Sequence, residues 1–107
     1  MDEIVARLRV TGPQIEAFCR KWDIVRFELF GSVLRDDFGP ESDVDVLVTF
    51  APDAHIGLFA LVRIQDELRD LLGRDVDLVE RKAVEESSNW IRRKAILSST
   101  RLVYAAA

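Results

Sequence analysis

With a single cysteine, Cys19, the chain has no means of forming an internal disulfide, which fits a reducing compartment. Its single histidine, His55, stands in the loop-like stretch APDAHIG beside no nucleophile signal, so a Ser-His-Asp site has no foundation there. Motifs built on such residues are missing too: there is no HExxH and no paired CxxC, and equally no Walker A loop and no GxGxxG. No apolar run approaches transmembrane length, and the opening MDEIVARLRV lacks the long apolar stretch of a signal peptide. These absences lead to the expectation of a soluble, cytoplasmic protein that does not associate with membranes. Positive charge is scarce as well. Lys and Arg number 15 against 19 Asp and Glu, for a net charge of -4. Broad, non-specific nucleic-acid binding needs a basic surface, so direct nucleic-acid binding is disfavoured. Arg92, Arg93 and Lys94 form a local basic run, read most simply as the solvated face of a helix.

What is present suits one globular unit. The length of 107 residues matches a single domain, 1–107, and no linker, low-complexity tract or repeat divides it. The composition is 49% hydrophobic and 32% charged, enough apolar material for a core but a modest one. A small core leaves room for an obligate partner or an oligomer.

Apolar periodicity predicts the elements. Ile4, Val5 and Leu8 have helical spacing over a short stretch. TGPQIEAFCRKW is a stronger helix: Thr11 or Gly12 caps it, Pro13 suits its first turn, and Ile15, Phe18, Cys19 and Trp22 repeat along one face. Cys19 therefore reads as core rather than as a catalytic thiol. Ile24 to Phe30 alternates and is rich in strand formers. Ser32 to Asp37 makes a short helix at most, because FGPES breaks it. Val44 to Phe50 is a second strand. Gly57 to Leu72 is a long helix whose apolar face is drawn from Leu58, Leu61, Val62, Leu68, Leu71 and Leu72. A third strand lies around Val76 to Val79, a helix over Ser88 to Leu97 with Ile91 and Leu97 inward, and a short last strand in TRLVY. Trp90 suits either a core contact or a partner surface. The order α-β-(α)-β-α-β-α-β predicts an α/β (α+β) domain with helices packed against a small mixed sheet.

The chemistry concentrates in FGSVLRDDFGPESDVDVLVTF. Asp43 and Asp45 share one face of a strand, because residues two apart point the same way. Each carboxylate raises the pKa of the other unless a cation lies between them, and a hard divalent cation with oxygen ligands relieves the repulsion. Taken alone, D-x-D is more often a solvated strand edge. Gly31 and Ser32 shift the balance. A glycine lets backbone approach a ligand closely, and N–H groups at a helix start attract phosphate. Asp77, in RDVDLVE, supplies a third acid if its strand lies next in the sheet; Asp75 has the same parity, but Asp77 lies deeper in the apolar run. Three acids beside a phosphate-binding turn describe phosphoryl or nucleotidyl transfer assisted by two metals.

Gly31-Ser32, ten residues, then Asp43-Val44-Asp45 reproduces the G-S-x10-D-x-D signature of the DNA polymerase β-like nucleotidyltransferase superfamily. With GRDVDLVE downstream, the chain resembles the minimal nucleotidyltransferase (MNT) family from about Ile15 to Tyr104. The resemblance implies that fold and a function for each matching residue. Gly31 and Ser32 match the phosphate-binding turn. Asp43 and Asp45 match the acids that bind both metals, two Mg2+ ions with nucleotide. Asp77 matches the third acid, which binds the catalytic metal and helps deprotonate the acceptor. Arg35 matches the basic residue of the GSxxR form, and either contacts phosphate or pairs with Asp36, Asp37 or Asp43. The family further implies ATP as donor and a HEPN-domain toxin as partner, the MNT protein acting as antitoxin by transferring AMP to a tyrosine of that toxin. Two rival functions share this fold: neutralisation by binding alone, and transfer to a small molecule or RNA.

Overall fold

Thr11 opens the first described helix with a reciprocal cap. Its hydroxyl accepts from the Gln14 N–H while the Gln14 side chain accepts from the Thr11 N–H at 2.8 Å. These paired bonds satisfy N–H groups that a helix start otherwise leaves without partners. The computed structural model describes residues 8, 10–35, 39 and 42–106. The helical spacing expected at Ile4 and Val5 falls outside these residues, as do Asp36 and Asp37. Helix α1 is Gly12–Lys21, and strand β1, Ile24–Phe30, follows it. A single 3-10 turn, Gly31–Leu34, leads toward β2, Val44–Phe50. Helix α2 is Leu58–Leu72, and Gly73 ends it in the left-handed conformation (φ 68°), its N–H donating to Arg69 O at 2.8 Å. Then come β3 (Val76–Glu80), α3 (Arg81–Glu85), α4 (Trp90–Leu97) and β4 (Thr100–Ala105). Among the described residues no helix is long and apolar enough to cross a membrane.

The four strands form one mixed sheet in the order β3-β2-β1-β4. Strand β1 pairs antiparallel with β2 and with β4, whereas β2 and β3 are parallel. A parallel pair needs a crossover, and α2 provides it. The expected small mixed sheet with packed helices is what the chain adopts. Alternation along β2 then separates two apolar layers. Val44, Val46 and Val48 face the larger core with Phe27 and Leu29 of β1, Ile15, Phe18 and Cys19 of α1, and Ile64 and Leu68 of α2. Phe18 meets Phe27 edge to face, with ring centroids 6.4 Å apart. Burial pushes the Cys19 thiol up to about 12, in keeping with a packing role. Leu47 points to the other side, where Val84 of α3 and Ile96 of α4 cover it.

Three details differ from the sequence reading. The inner face of α2 is Ile64, Leu68 and Leu72, with Leu71 partly buried; Leu58 and Val62 are exposed, and so is Phe59, at 87%. The apolar side chains of its first turn stay outside the core. On α4, Ile91 is 64% exposed and Ile96 takes the inward place, beside a partly buried Leu97. The helix begins only after Asn89, whose side chain accepts from the Arg92 N–H at 3.1 Å, and packing against Leu47 and Val84 takes Ile96 inward. Helix α3, absent from the expected order, is a five-residue turn that seats Val84 beneath Leu47.

Candidate active site

One end of the sheet gathers the chemically interesting residues. Phe30, the last residue of β1, lies opposite Asp45. Gly31 then takes φ 72°, a left-handed conformation in which a side chain is strained. A Cβ at Gly31 would also collide with the Asp45 carboxylate. Glycine is therefore required twice over, once by the backbone and once by the acid packed against it. The turn continues with Ser32, whose backbone N–H donates to the Asp45 carboxylate and whose hydroxyl donates to Asp43 O at 3.3 Å. Val33 is fully buried and pins the turn to the core, and the Arg35 N–H closes it on Ser32 O at 3.0 Å. The expected short helix is thus a tight 3-10 turn, and its Ser32 N–H is already engaged by an acid.

The acids arrive from two neighbouring strands. Asp43 precedes β2 and is exposed, while Asp45 is partly buried. Asp45 lies in register with Asp77 of β3. Residues opposite each other in adjacent strands project to the same face, so these two carboxylates are neighbours. Asp77 is exposed rather than buried as its apolar flanks suggest, because β3 is an edge strand with open solvent beyond it. Asp75 shares the parity and lies one step upstream, its carbonyl accepting from the Val44 N–H at 3.0 Å. Its side chain accepts from Arg69 Nη2 at 2.9 Å, which turns it toward the end of α2. Register sets Asp77 beside Asp45, and the Arg69 ion pair draws the Asp75 carboxylate away.

The electrostatics follow from this crowding. Burial, more than anything else, pushes the Asp45 carboxyl above the ordinary aspartate range, and the charges of Asp77 and then Asp43 push the same way. The Ser32 N–H and, more weakly, the Arg35 guanidinium pull it back. Arg35 thus lies within electrostatic reach of Asp45, the acid not among its expected partners. Among the described residues no three His, Cys, Asp or Glu side chains form a ready cage for a metal ion. The donor set itself is all carboxylate oxygen with mutual repulsion, which suits a hard divalent cation such as Mg2+.

The remaining candidates stay apart from this end. His55 is exposed in the loop before α2. Trp90 is 61% exposed at the start of α4, which favours the surface alternative. In the basic run Arg92 and Lys94 are exposed, while Arg93 donates to Ser87 O at 3.0 Å. Two polar residues passed without comment in the sequence are built into the fold. Glu28, 3% exposed, accepts from Arg26 at 3.0 Å and from Arg81 at 2.7 Å. Arg74 donates to two carbonyls just upstream of Asp43. The one signal for Arg74 was its place between a helix-stopping glycine and the acid-bearing strand.

Fold and site together define a small nucleotidyltransferase-type domain. The family model described as "Nucleotidyltransferase domain" matches residues 14–103, and the chain belongs to that family. Two proteins of Methanocaldococcus jannaschii, each provisionally named a protein adenylyltransferase, resemble it in sequence. One is 37% identical over 59 residues, covering 55% of this chain and 61% of the relative. The other is 39% identical over 67 residues, covering 61% and 64%. The chain thus spans about three fifths of the length of the curated relatives it matches. Among solved structures, a provisionally assigned minimal nucleotidyltransferase shares 29% identity at a TM-score of 0.65, with 94% of each chain covered. A chain of a toxin–antitoxin crystal structure with AMP-PNP shares the fold at a TM-score of 0.68 and 20% identity, covering 91% of this chain and 75% of that one. So does a chain of the tri-AMPylated Shewanella oneidensis HEPN toxin in complex with its MNT antitoxin, at a TM-score of 0.60 and 21% identity, covering 89% and 70%.

Proposed function

We propose that this chain is a Mg2+-dependent nucleotidyltransferase that moves AMP from ATP to a hydroxyl of a partner HEPN-type toxin, a tyrosine in particular, and so acts as its antitoxin. The observation that carries the reading is the register of Asp45 with Asp77, with Asp43 beside them and the Gly31-Ser32 turn packed against Asp45. Family membership supports the reaction type, and the MNT–HEPN assemblies that share this fold support the partner.

Each residue then has a role. Gly31 lets the turn close on the Asp45 carboxylate and bring its backbone to the phosphates, with the Ser32 hydroxyl beside it. Asp43, Asp45 and Asp77 would hold the divalent cations, two with nucleotide. Arg35 contributes positive charge at the exposed rim. What bound divalent cations supply is charge neutralisation at the triphosphate and a more acidic acceptor hydroxyl. In the transfer, the acceptor oxygen bonds to the α-phosphorus of ATP as the bond from that phosphorus to the bridging oxygen breaks. Pyrophosphate leaves, and the acceptor proton passes toward Asp77. Little else is asked of the protein, because phosphoryl chemistry of this kind depends mainly on positioning and electrostatic stabilisation.

The test is label transfer from ATP carrying α-phosphate label to a candidate HEPN-type partner, sought among the proteins encoded beside this chain. The wild-type chain should label that protein only with a divalent cation present. Asp45→Asn should lower the rate by about 100-fold or more, as loss of a central electrostatic element does. Equal labelling by the variant would remove the acids from the mechanism.

A further inference from the structure

Asp43 is exposed and, unlike Asp45 and Asp77, lies outside the strands. It stands before the first residue of β2, where no ladder hydrogen bond of that strand holds it. Its neighbourhood is nevertheless tied down on three consecutive residues. The Val44 N–H donates to Asp75 O at 3.0 Å. Asp43 O accepts from the Ser32 hydroxyl at 3.3 Å. On the upstream side, Arg74 Nη1 donates to Ser42 O at 3.4 Å and to Gly39 O at 3.2 Å. The same Gly39 carbonyl accepts from the Ser42 N–H at 3.1 Å, and the Ser42 hydroxyl accepts from the Gly39 N–H at 3.1 Å. The guanidinium therefore gathers the carbonyls of Gly39 and Ser42, the second of which adjoins Asp43.

This placement follows from the way α2 ends. Gly73 reverses the chain in the left-handed conformation, and the next two residues are delivered to the start of β2: Arg74 by its side chain, Asp75 by its carbonyl. Arg74 is partly buried, so its bonds are shielded from full competition with water. Both bonds leave one nitrogen, Nη1, whose two hydrogens lie in the fixed plane of the guanidinium, so the two carbonyls are held at a set angle to each other.

We infer that Arg74 is a positioning residue: by holding the carbonyls of Gly39 and Ser42 it sets the backbone from which Asp43 reaches the nucleotide-bound cation. The inference rests on the proposed transfer reaction for its functional half, and on the hydrogen bonds alone for its structural half. Arg74 touches no reacting group in this scheme; it acts through Asp43.

Two variants of the full chain test it, Arg74→Met, which keeps length and removes the donors, and Arg74→Lys, which keeps one donor group. Backbone amide exchange and NMR relaxation of residues 42–44 are measured first, without ligand. Mg2+ is then titrated in the presence of AMP-PNP, followed at the Asp43, Asp45 and Asp77 resonances. Arg74→Met should speed exchange at residues 42–44 while leaving the 3-10 turn unchanged, and should weaken Mg2+ binding by roughly tenfold, with Arg74→Lys between it and wild type. Wild-type exchange and wild-type Mg2+ binding in a folded Arg74→Met chain would overturn the inference. If Arg74→Met does not fold, the Lys variant decides by the same readouts, and wild-type behaviour there overturns it. If the wild-type chain shows no response to Mg2+ with AMP-PNP, the transfer reading fails; unchanged exchange at residues 42–44 then overturns the structural half, and faster exchange upholds it.

Discussion

Gly31 and Asp45 are each explained by the other. The left-handed backbone at Gly31 costs an ordinary residue on the order of 1–2 kcal/mol, and a Cβ there would also displace the Asp45 carboxylate. Gly31→Ala should therefore lower stability in urea unfolding by about 2 kcal/mol or more. A neutral result would mean that the turn relaxes without strain. Asp45 carries a pH signature of its own. Its carboxyl lies above the ordinary aspartate range when folded, chiefly through burial. The folded chain then binds more protons than the unfolded one between the ordinary value and the raised value. The stability this provides is complete below the ordinary value of about 3.9 and is lost as pH rises through the raised one. At neutral pH the charged Asp45 thus opposes folding of the cation-free chain. Asp45→Asn should melt at a higher temperature than wild type at pH 7 without divalent cations, and the two should converge at acid pH. A lower melting temperature for the variant at pH 7 would refute this.

Elements show where sequence reading succeeds and where tertiary packing takes over. Strands β1 and β2 span the residues that alternation predicts, because each has one face packed into a core and so a sharply specified register. The two signature halves, Gly31-Ser32 and Asp43-Val44-Asp45, come together as the spacing suggests, since β1 and β2 are antiparallel neighbours. Less legible was anything set by a third partner. Parity cannot separate Asp75 from Asp77; their partners do, Asp77 lying beside Asp45 and the Asp75 carboxylate pairing with Arg69. Helix periodicity offers several apolar stripes on α2 and α4, and only the sheet decides which is covered. Helix α3 is too short to carry a periodic signal. The revised α2 face makes a direct prediction. Ile64→Ala should cost about 2–5 kcal/mol as a buried large-to-small change. Phe59→Ser, at an exposed position, should stay within about 0.5 kcal/mol. Comparable losses at both would return the first turns of α2 to the core. Glu28 belongs to this scale as well, because its bond to Arg81 ties β1 to the start of α3. Arg26 has a side chain 45% exposed and Arg81 one 27% exposed, so Arg81→Ala should destabilise more than Arg26→Ala in the same denaturant assay.

At the scale of the whole molecule, a small α+β scaffold presents three acids and a glycine turn at one end of its sheet. The rest of the surface is sparingly equipped. Apolar side chains remain exposed on α2 and α4, and nowhere among the described residues do three His, Cys, Asp or Glu side chains form a ready metal cage. The central claim is that this end of the sheet places AMP on a protein hydroxyl. It is tested most directly by incubating the chain with Mg2+, ATP and the HEPN-type partner proposed for it, then measuring that protein's intact mass. The account predicts a gain of one or more whole adenylyl groups, located on tyrosine by fragmentation and abolished by Asp43→Ala with Asp45→Ala. An unchanged mass, with both proteins folded and in complex, would contradict it.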